Sequence, residues 1–191
     1  MVPGILLFVL LLVPTSADGA PKSYAVVPGK SRVTFDATYP LGDFSGVTEA
    51  VTGQLRLDPA NIPLGAAGRV SADPSSLKTG NDGRDRDLRK TLEADRHGEI
   101  RFNAVEVKSS FPSLAEQTDV ILRISGVLRI RGVERPITWT ARARLEGGRI
   151  WVRGETDLKL TDFGITPPKR FFLAVSDGVR ASFDLRLAPA E

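Results

Sequence analysis

The sequence has no cysteine and only one histidine, His97, among its 191 residues. Without cysteine, the chain can form no disulfide and offers no thiolate for catalysis, an iron–sulfur cluster or a zinc site. With one imidazole it cannot build a multi-histidine metal site, and any Ser-His-Asp arrangement would depend on His97. These absences favour a protein that binds a molecule over one that converts it. We therefore expect no enzyme activity, no cofactor and no metal.

The sequence also has few aromatic residues and a small net charge. Aromatic residues make up 7% of the chain, and the formal net charge is +3. Apolar residues at 41% and charged residues at 26% are ordinary for a globular domain and argue against a disordered chain. The length predicts one domain with a short appendage.

The appendage is an uncharged N-terminal segment. Residues 5–13 form an unbroken aliphatic and aromatic run, which as a helix would rise only about 14 Å, roughly half of a bilayer's hydrocarbon thickness. Pro14 and the small residues 15–17 follow, as in a secretory signal peptide. We expect residues 1–17 to be a signal peptide, residues 18–191 to be the mature domain, and the protein to be periplasmic or secreted. An uncleaved apolar N-terminus is the alternative.

From Tyr24 onward, apolar and polar residues alternate with a period of two. This pattern predicts strands with one buried and one wet face, which is typical of antiparallel sheets. In the fourth segment the phase slips between Ala104 and Val105, as it does at a β-bulge. The alternating segments are residues 33–39, 51–57, 68–72, 100–105, 120–130, 137–145, 150–160 and 179–187. Eight antiparallel strands of this length can close into a barrel.

The sequence also predicts one tight turn and one helix between the strands. Gly147-Gly148 between two alternating segments predicts a tight hairpin. Residues 84–95 place Leu88 and Leu92 on one helical stripe, and Asn81 or Asp82 can cap this helix. The predicted fold class is therefore all-β, an eight-stranded antiparallel barrel with one short helix between strands 3 and 4.

Four polar residues at the start of that helix raise the question of a calcium site. Asn81, Asp82, Asp85 and Asp87 cluster there, but they lack the ligand spacing, central glycine and distal glutamate of an EF-hand loop. We interpret them as helix-capping and solvated residues.

The alternation does not say which face points inward, or what fills the barrel. An apolar outer face would make an outer-membrane barrel, but the long charged side chains of the polar face and the few aromatic residues oppose it. Small residues in mid-strand, such as Gly126 and Gly154, leave room for one slender ligand. Alternatively, Phe35, Trp139, Phe183 and the leucines of the apolar face fill that room completely. The candidate ligand-lining residues, chosen by alternation, are Phe35, Leu55, Leu57, Leu122, Ile124, Trp139, Ala141, Val152, Leu158, Phe183 and Leu185.

Several segments resemble, in order and spacing, the YceI-like family of lipid- and polyisoprenoid-binding proteins. They are residues 24–35 (YAVVPGKSRVTF), 42–46 (GDFSG), 76–88 (SLKTGNDGRDRDL), 99–102 (EIRF), 126–133 (GVLRIRGV), 161–165 (TDFGI) and 176–179 (SDGV). The resemblance extends over nearly the whole mature chain and implies an exported, lipocalin-like barrel whose apolar interior holds a long isoprenoid or other lipid. We therefore expect an exported, non-catalytic protein that sequesters or carries a polyisoprenoid or related lipid.

The segment after the seventh strand contains candidate lid residues. Asp162-Phe163-Gly164 predicts a turn at the end of that strand, and Phe171 and Phe172 follow this turn. We expect Phe163, Phe171 and Phe172 to form a lid over the barrel mouth. The alternative is a surface loop that tucks its aromatic rings onto the core.

Residues 120–153 are rich in arginine. The segment contains eight arginines and only two acidic residues, Glu134 and Glu146. Six of the eight arginines alternate with apolar residues of the fifth to seventh strands. The alternative function is therefore a structural or interaction barrel with a filled core, acting through an arginine-rich outer face. That face would suit transient contact with an anionic membrane surface. The expected export and the lack of interleaved aromatic residues disfavour nucleic acid as a partner, and the sequence leaves the oligomeric state open. The arginines are Arg123, Arg129, Arg131, Arg135, Arg142, Arg144, Arg149 and Arg153.

Overall fold

The computed structural model describes residues 20–170 and 173–190. These residues form one α-helix, α1 (Asp82–Thr91), and two 3₁₀ turns, Pro74–Ser76 and Leu160–Phe163. The strands are β1 (Lys22–Val26), β2 (Arg32–Ala37), β3 (Phe44–Thr48), β4 (Val51–Leu57), β5 (Ala67–Ala72), β6 (Ile100–Ser109), β7 (Val120–Ile130), β8 (Val133–Glu146), β9 (Arg149–Lys159), β10 (Lys169–Arg170), β11 (Leu173–Ala174) and β12 (Gly178–Pro189).

The strands close into an eight-stranded antiparallel barrel, as predicted. Its order is β1-β4-β5-β6-β7-β8-β9-β12, and pairing of β12 with β1 closes the ring. Strand β2 pairs with the other half of β12, and β3 pairs with β2. Strands β1 and β2 are therefore the two parts of one long strand with a single interruption, and β3 and β4 are the two parts of another. Closure removes exposed sheet edges from most of the wall.

A buried serine occupies the break between β1 and β2. Ser31 is 2% exposed, and its hydroxyl donates to the Val27 carbonyl oxygen at 3.2 Å while it accepts from the Arg186 amide at 3.0 Å. Gly29 allows the chain to turn there because its φ is +65°, a region that side chains disfavour. The hydrogen bonds of Ser31 thus connect the break between β1 and β2 to β12.

The predicted irregularity in the fourth alternating segment is a β-bulge in β6. The register of β6 against β7 shifts between Ala104 and Glu106, and Val105, between them, is 68% exposed. The extra residue turns Val105 outward and lets Val107 face the interior again. The predicted hairpin also forms, with Gly147 and Gly148 at φ +58° and +77° between β8 and β9.

The helix prediction of residues 84–95 needs correction at both ends. Helix α1 begins at Asp82 because the Asn81 side chain accepts the Arg84 amide at 3.0 Å, and it ends at Thr91, before Glu93 takes a positive φ. The interpretation of Asp85 as solvated is wrong, since it is 2% exposed. Its carboxylate is held by Thr79, as described below.

The apolar face of the alternation points into the barrel. Leu122, Val152 and Leu185 are buried, whereas their strand neighbours Arg123 and Arg153 are exposed. The buried residues form two clusters, one around Leu122 and Leu187 and the other beneath α1 around Leu128 and Ile165. Among the described residues, none of the helical segments is both long and apolar enough to traverse a lipid bilayer.

Candidate functional site

A single large cavity occupies the barrel interior and extends between the two core clusters. Its volume is about 800 Å³, within the usual range for small-molecule sites, and most of its lining is apolar. The described residues therefore leave the interior partly open, which favours a binding barrel over the filled-core alternative.

All the candidate ligand-lining residues except Ala141 border this cavity. Ala141 is 2% exposed and lies in the wall, with its Cβ 2.9 Å from the position that a Cβ on Gly154 would take. Alternation placed it on the correct face, but neighbouring side chains cover it. Contact of the other residues with a ligand stays a prediction. These residues are Phe35, Leu55, Leu57, Leu122, Ile124, Trp139, Val152, Leu158, Phe183 and Leu185.

Glycines make room for aromatic rings at the wall. The ring of Phe183 occupies the space that a Cβ on Gly154 would take, and the ring of Phe102 does the same at Gly126. Phe183 and Gly154 are direct cross-strand partners. The prediction that small residues leave room is thus modified: at these glycines the room is taken by rings packed against the wall. Because those rings lie in the glycine gaps, they extend less far into the lumen.

Trp139 lies at the centre of the aromatic part of the lining. Its ring makes edge contacts with Phe183, at a centroid distance of 5.0 Å, and with Phe102, at 6.0 Å. Its buried indole N–H has no acceptor among the described residues. The other tryptophan, Trp151, lies on the outside of the barrel, with the Arg144 guanidinium 3.8 Å from its ring centroid. The two indoles therefore sample different surroundings.

Most of the exposed polar residues that border the cavity lie at one end, which we call the mouth. Asn81 and Asp87 reach it from the N-cap and the body of α1, Lys159 from the end of β9, and Lys169 from β10. At the opposite end the cavity is bordered mainly by buried apolar residues, including Ile62 and Leu114, together with the exposed Arg56 of β4. The cavity is therefore amphipathic along its length, with an apolar interior and a charged entrance.

A hydrogen-bonded chain of three residues orders the mouth. The buried Asp85 carboxylate accepts from the Thr79 amide at 2.8 Å and from the Thr79 hydroxyl at 2.6 Å. Thr79 in turn accepts from Arg84, through its hydroxyl at 2.9 Å and its carbonyl at 3.1 Å. The hydrogen bond from the Thr79 side chain is the main reason that the pKa of Asp85 lies below its usual value. Sequence reasoning missed this arrangement because it treated the acids of α1 as solvated.

The candidate lid residues are only partly described. Phe163 is 3% exposed, borders the cavity and packs with Leu128 and Ile165. It lies in the predicted turn after β9, where Gly164 has a φ of +67°. Phe171 and Phe172 lie outside the described residues, so the lid stays a prediction.

Three of the predicted arginines form an exposed basic strip on the outer surface. Arg142 and Arg153 are directly opposite each other on β8 and β9, and Arg123 is on β7 beside them. Other members of the set are paired within the chain, Arg144 with Asp119 and Glu146, and Arg131 with Glu93. The free basic surface is therefore smaller than the sequence indicates.

Within the described parts of the chain, no three His, Asp or Glu side chains cluster as metal ligands would. His97 lies 3.7 Å from Glu93 and does not border the cavity. The arrangement is suited to holding an apolar molecule.

Comparison with known proteins supports the fold assignment. The family model for the YceI-like domain matches residues 24–187. Among solved structures, BcnA of Burkholderia cenocepacia is similar with a TM-score of 0.71 and 18% identity, covering 84% of this chain and 98% of that one.

Two further solved structures share the fold. A polyisoprenoid-binding domain from Saccharophagus degradans, implicated in plant cell wall breakdown, has a TM-score of 0.67 and 17% identity over 88% of this chain and 99% of that one. The YceI protein of Campylobacter jejuni has a TM-score of 0.61 and 18% identity over 76% and 84%. No curated protein matches the sequence.

Proposed function

The chain belongs to the YceI-like domain family, and from this premise we propose that it sequesters or carries a polyisoprenoid or related long-chain lipid inside its barrel. The observation that carries the proposal is the apolar cavity of about 800 Å³. The Saccharophagus degradans domain of the same fold is a polyisoprenoid-binding domain. Burial of apolar area contributes about 25 cal/mol per Å², so several isoprene units can offset the costs of association.

We also propose that the protein is exported and that its role is non-catalytic. The uncharged run at residues 5–13 and the small residues 15–17 support export, although they lie outside the described residues. The apolar lining supports a binding role, because retention of a hydrocarbon chain needs no proton transfer or nucleophile. N-terminal sequencing of protein recovered from the cell exterior or periplasm should begin at Asp18. Recovery of Met1 at the N-terminus would contradict cleavage.

A second proposal concerns transient contact with an anionic membrane surface. It is supported by the exposed side chains of Arg142 and Arg153, which lie directly opposite each other on β8 and β9; Asp184 of β12 is the cross-strand neighbour of Arg153 on its other side, so Arg142 is the less compensated of the two. Ile121, 54% exposed, is the cross-strand partner of Arg142 on the same surface. Binding to phosphatidylglycerol vesicles should fall as salt rises and fall further in Arg142→Gln/Arg153→Gln. Salt-insensitive binding would exclude this contact.

Filling the cavity tests the main proposal. Ala181 and Ala66 both border the cavity, so Ala181→Phe and Ala66→Phe should weaken binding of geranylgeraniol by about tenfold or more, equivalent to about 1.4 kcal/mol. Thr140→Phe is the matched control, because Thr140 is exposed on the outer face of β8 next to Trp139. Thermal unfolding of each variant verifies folding. Unchanged affinity in both folded cavity variants would refute binding inside the barrel.

A further inference from the structure

We propose that Arg84 binds an anionic headgroup of the lipid at the mouth, so that the preferred ligands are amphiphiles with a phosphate or carboxylate head. The inference rests on the proposed function and adds the chemical class of the head. It starts from the contrast between the apolar interior and the three cations that border the mouth, Arg84, Lys159 and Lys169.

Arg84 is held in place by neutral groups. Its Nε and one terminal nitrogen donate to the hydroxyl and carbonyl oxygens of Thr79. Its guanidinium carbon lies 4.3 Å from the ring centroid of Phe44, a cation–π arrangement. A guanidinium has five N–H donors, so these contacts leave donors available at the mouth.

The charge of Arg84 is not matched by a direct acidic partner. Across residues 20–170 and 173–190, no carboxylate forms an ion pair with Arg84. The nearby Asp85 is engaged by Thr79 and lies 3.8 Å from the Lys78 ammonium, while Asp87 borders the mouth as an exposed residue. A half-buried cation without a counter-ion is unfavourable, and a bound anion relieves that cost.

The fixed geometry favours recognition of an anion over simple solvation. Because the buried Asp85 fixes Thr79, and Thr79 fixes Arg84, little side-chain freedom is lost when a ligand binds. The planar guanidinium suits two-point contact with phosphate or carboxylate oxygens. A chain lying in the apolar cavity would bring its head to this end, where Lys159 and Lys169 add positive charge.

The test compares four ligands on delipidated protein: geranylgeranyl phosphate, geranylgeranoic acid, geranylgeraniol and inorganic phosphate. The wild type should bind the phosphate or the carboxylate lipid about tenfold or more tighter than the alcohol. Arg84→Met should remove this preference, whereas Arg84→Lys should retain part of it. Arg86→Met, an exposed position on the same helix that does not border the cavity, is the control.

The outcomes separate the headgroup inference from the function on which it rests. If geranylgeraniol binds as tightly as both anionic lipids, or if Arg84→Met keeps the preference, the headgroup inference is wrong and lipid binding stands. If none of the three lipids binds, the proposed function itself fails. If inorganic phosphate alone displaces geranylgeranyl phosphate at equal concentration, the site recognises free phosphate and the assignment to a lipid head is wrong.

Discussion

The ring of Phe183 packs directly over Gly154, its cross-strand partner, so that a Cβ on Gly154 would lie 2.7 Å from Phe183 Cζ. Such a distance is too short for two carbon atoms, and Gly154→Ala would push the ring away from the wall. We predict that Gly154→Ala lowers the free energy of unfolding by about 1–3 kcal/mol, as overpacking does, and reduces lipid uptake. Chemical denaturation and a lipid-binding assay measure the two effects.

Gly98→Ala is the control for this substitution. Nothing lies within 4 Å of the position that a Cβ on Gly98 would take, so its stability should change little. Wild-type stability and uptake in Gly154→Ala would show that the ring has free space elsewhere.

The two tryptophans provide an internal probe of where a ligand lies. Trp139 borders the cavity and Trp151 lies outside the barrel, beside Arg144. We predict that a fatty acid brominated along its chain quenches the fluorescence of Trp151→Phe strongly and that of Trp139→Phe weakly. Native mass spectrometry should verify that both variants bind the fatty acid. Equal quenching of the two variants would place the chain outside the barrel.

Asp85 predicts a specific dependence of stability on pH. Hydrogen bonds from Thr79 lower the pKa of Asp85 in the folded state. Its stabilising effect is therefore fully present above the unfolded-state pKa, near 4, and is lost as pH falls through the lower folded-state pKa. Asp85→Asn should lower the denaturation midpoint at neutral pH, and the difference from wild type should vanish in acid.

An exposed acid on the same helix provides the comparison for Asp85. Asp87→Asn should leave the denaturation midpoint unchanged, because Asp87 is exposed. A difference between Asp85→Asn and wild type that persisted undiminished at the lowest pH would contradict a role for the Asp85 charge.

The lid prediction concerns retention of the ligand more than its affinity. If Phe171 and Phe172 close the mouth, Phe171→Ala/Phe172→Ala should release a preloaded lipid to acceptor vesicles faster than the wild type does. Phe111→Ala is a suitable control, since Phe111 is 64% exposed and lies far from the mouth. Its neighbour Pro112 accepts a hydrogen bond from the Ile62 amide at the opposite end of the cavity. Equal release rates for all three proteins would dismiss the lid.

Features that depend on periodicity could be predicted from the sequence. The barrel and the bulge at Val105 follow from alternation and its single slip of phase, and the inward direction of the apolar face follows from the long charged side chains on the other face. The break at Ser31 could not, because it depends on contact with Arg186, far along the chain.

Features that depend on side chains meeting across the fold could not be predicted in the same way. Phe183 over Gly154 requires the strand register, and no local pattern reveals it. The acids of α1 looked solvated because charge normally indicates exposure, whereas Thr79 offers Asp85 two donors in a buried position. Arg84 was likewise overlooked, since its significance comes from the cavity that it borders.

The central claim is that the barrel holds a lipid chain, and native mass spectrometry of protein purified without detergent tests it most directly. We predict a bound lipid that solvent extraction removes and that added geranylgeraniol or geranylgeranyl phosphate replaces in a one-to-one complex. A mass corresponding to the protein alone, before extraction and after incubation with both prenyl lipids, would contradict the account.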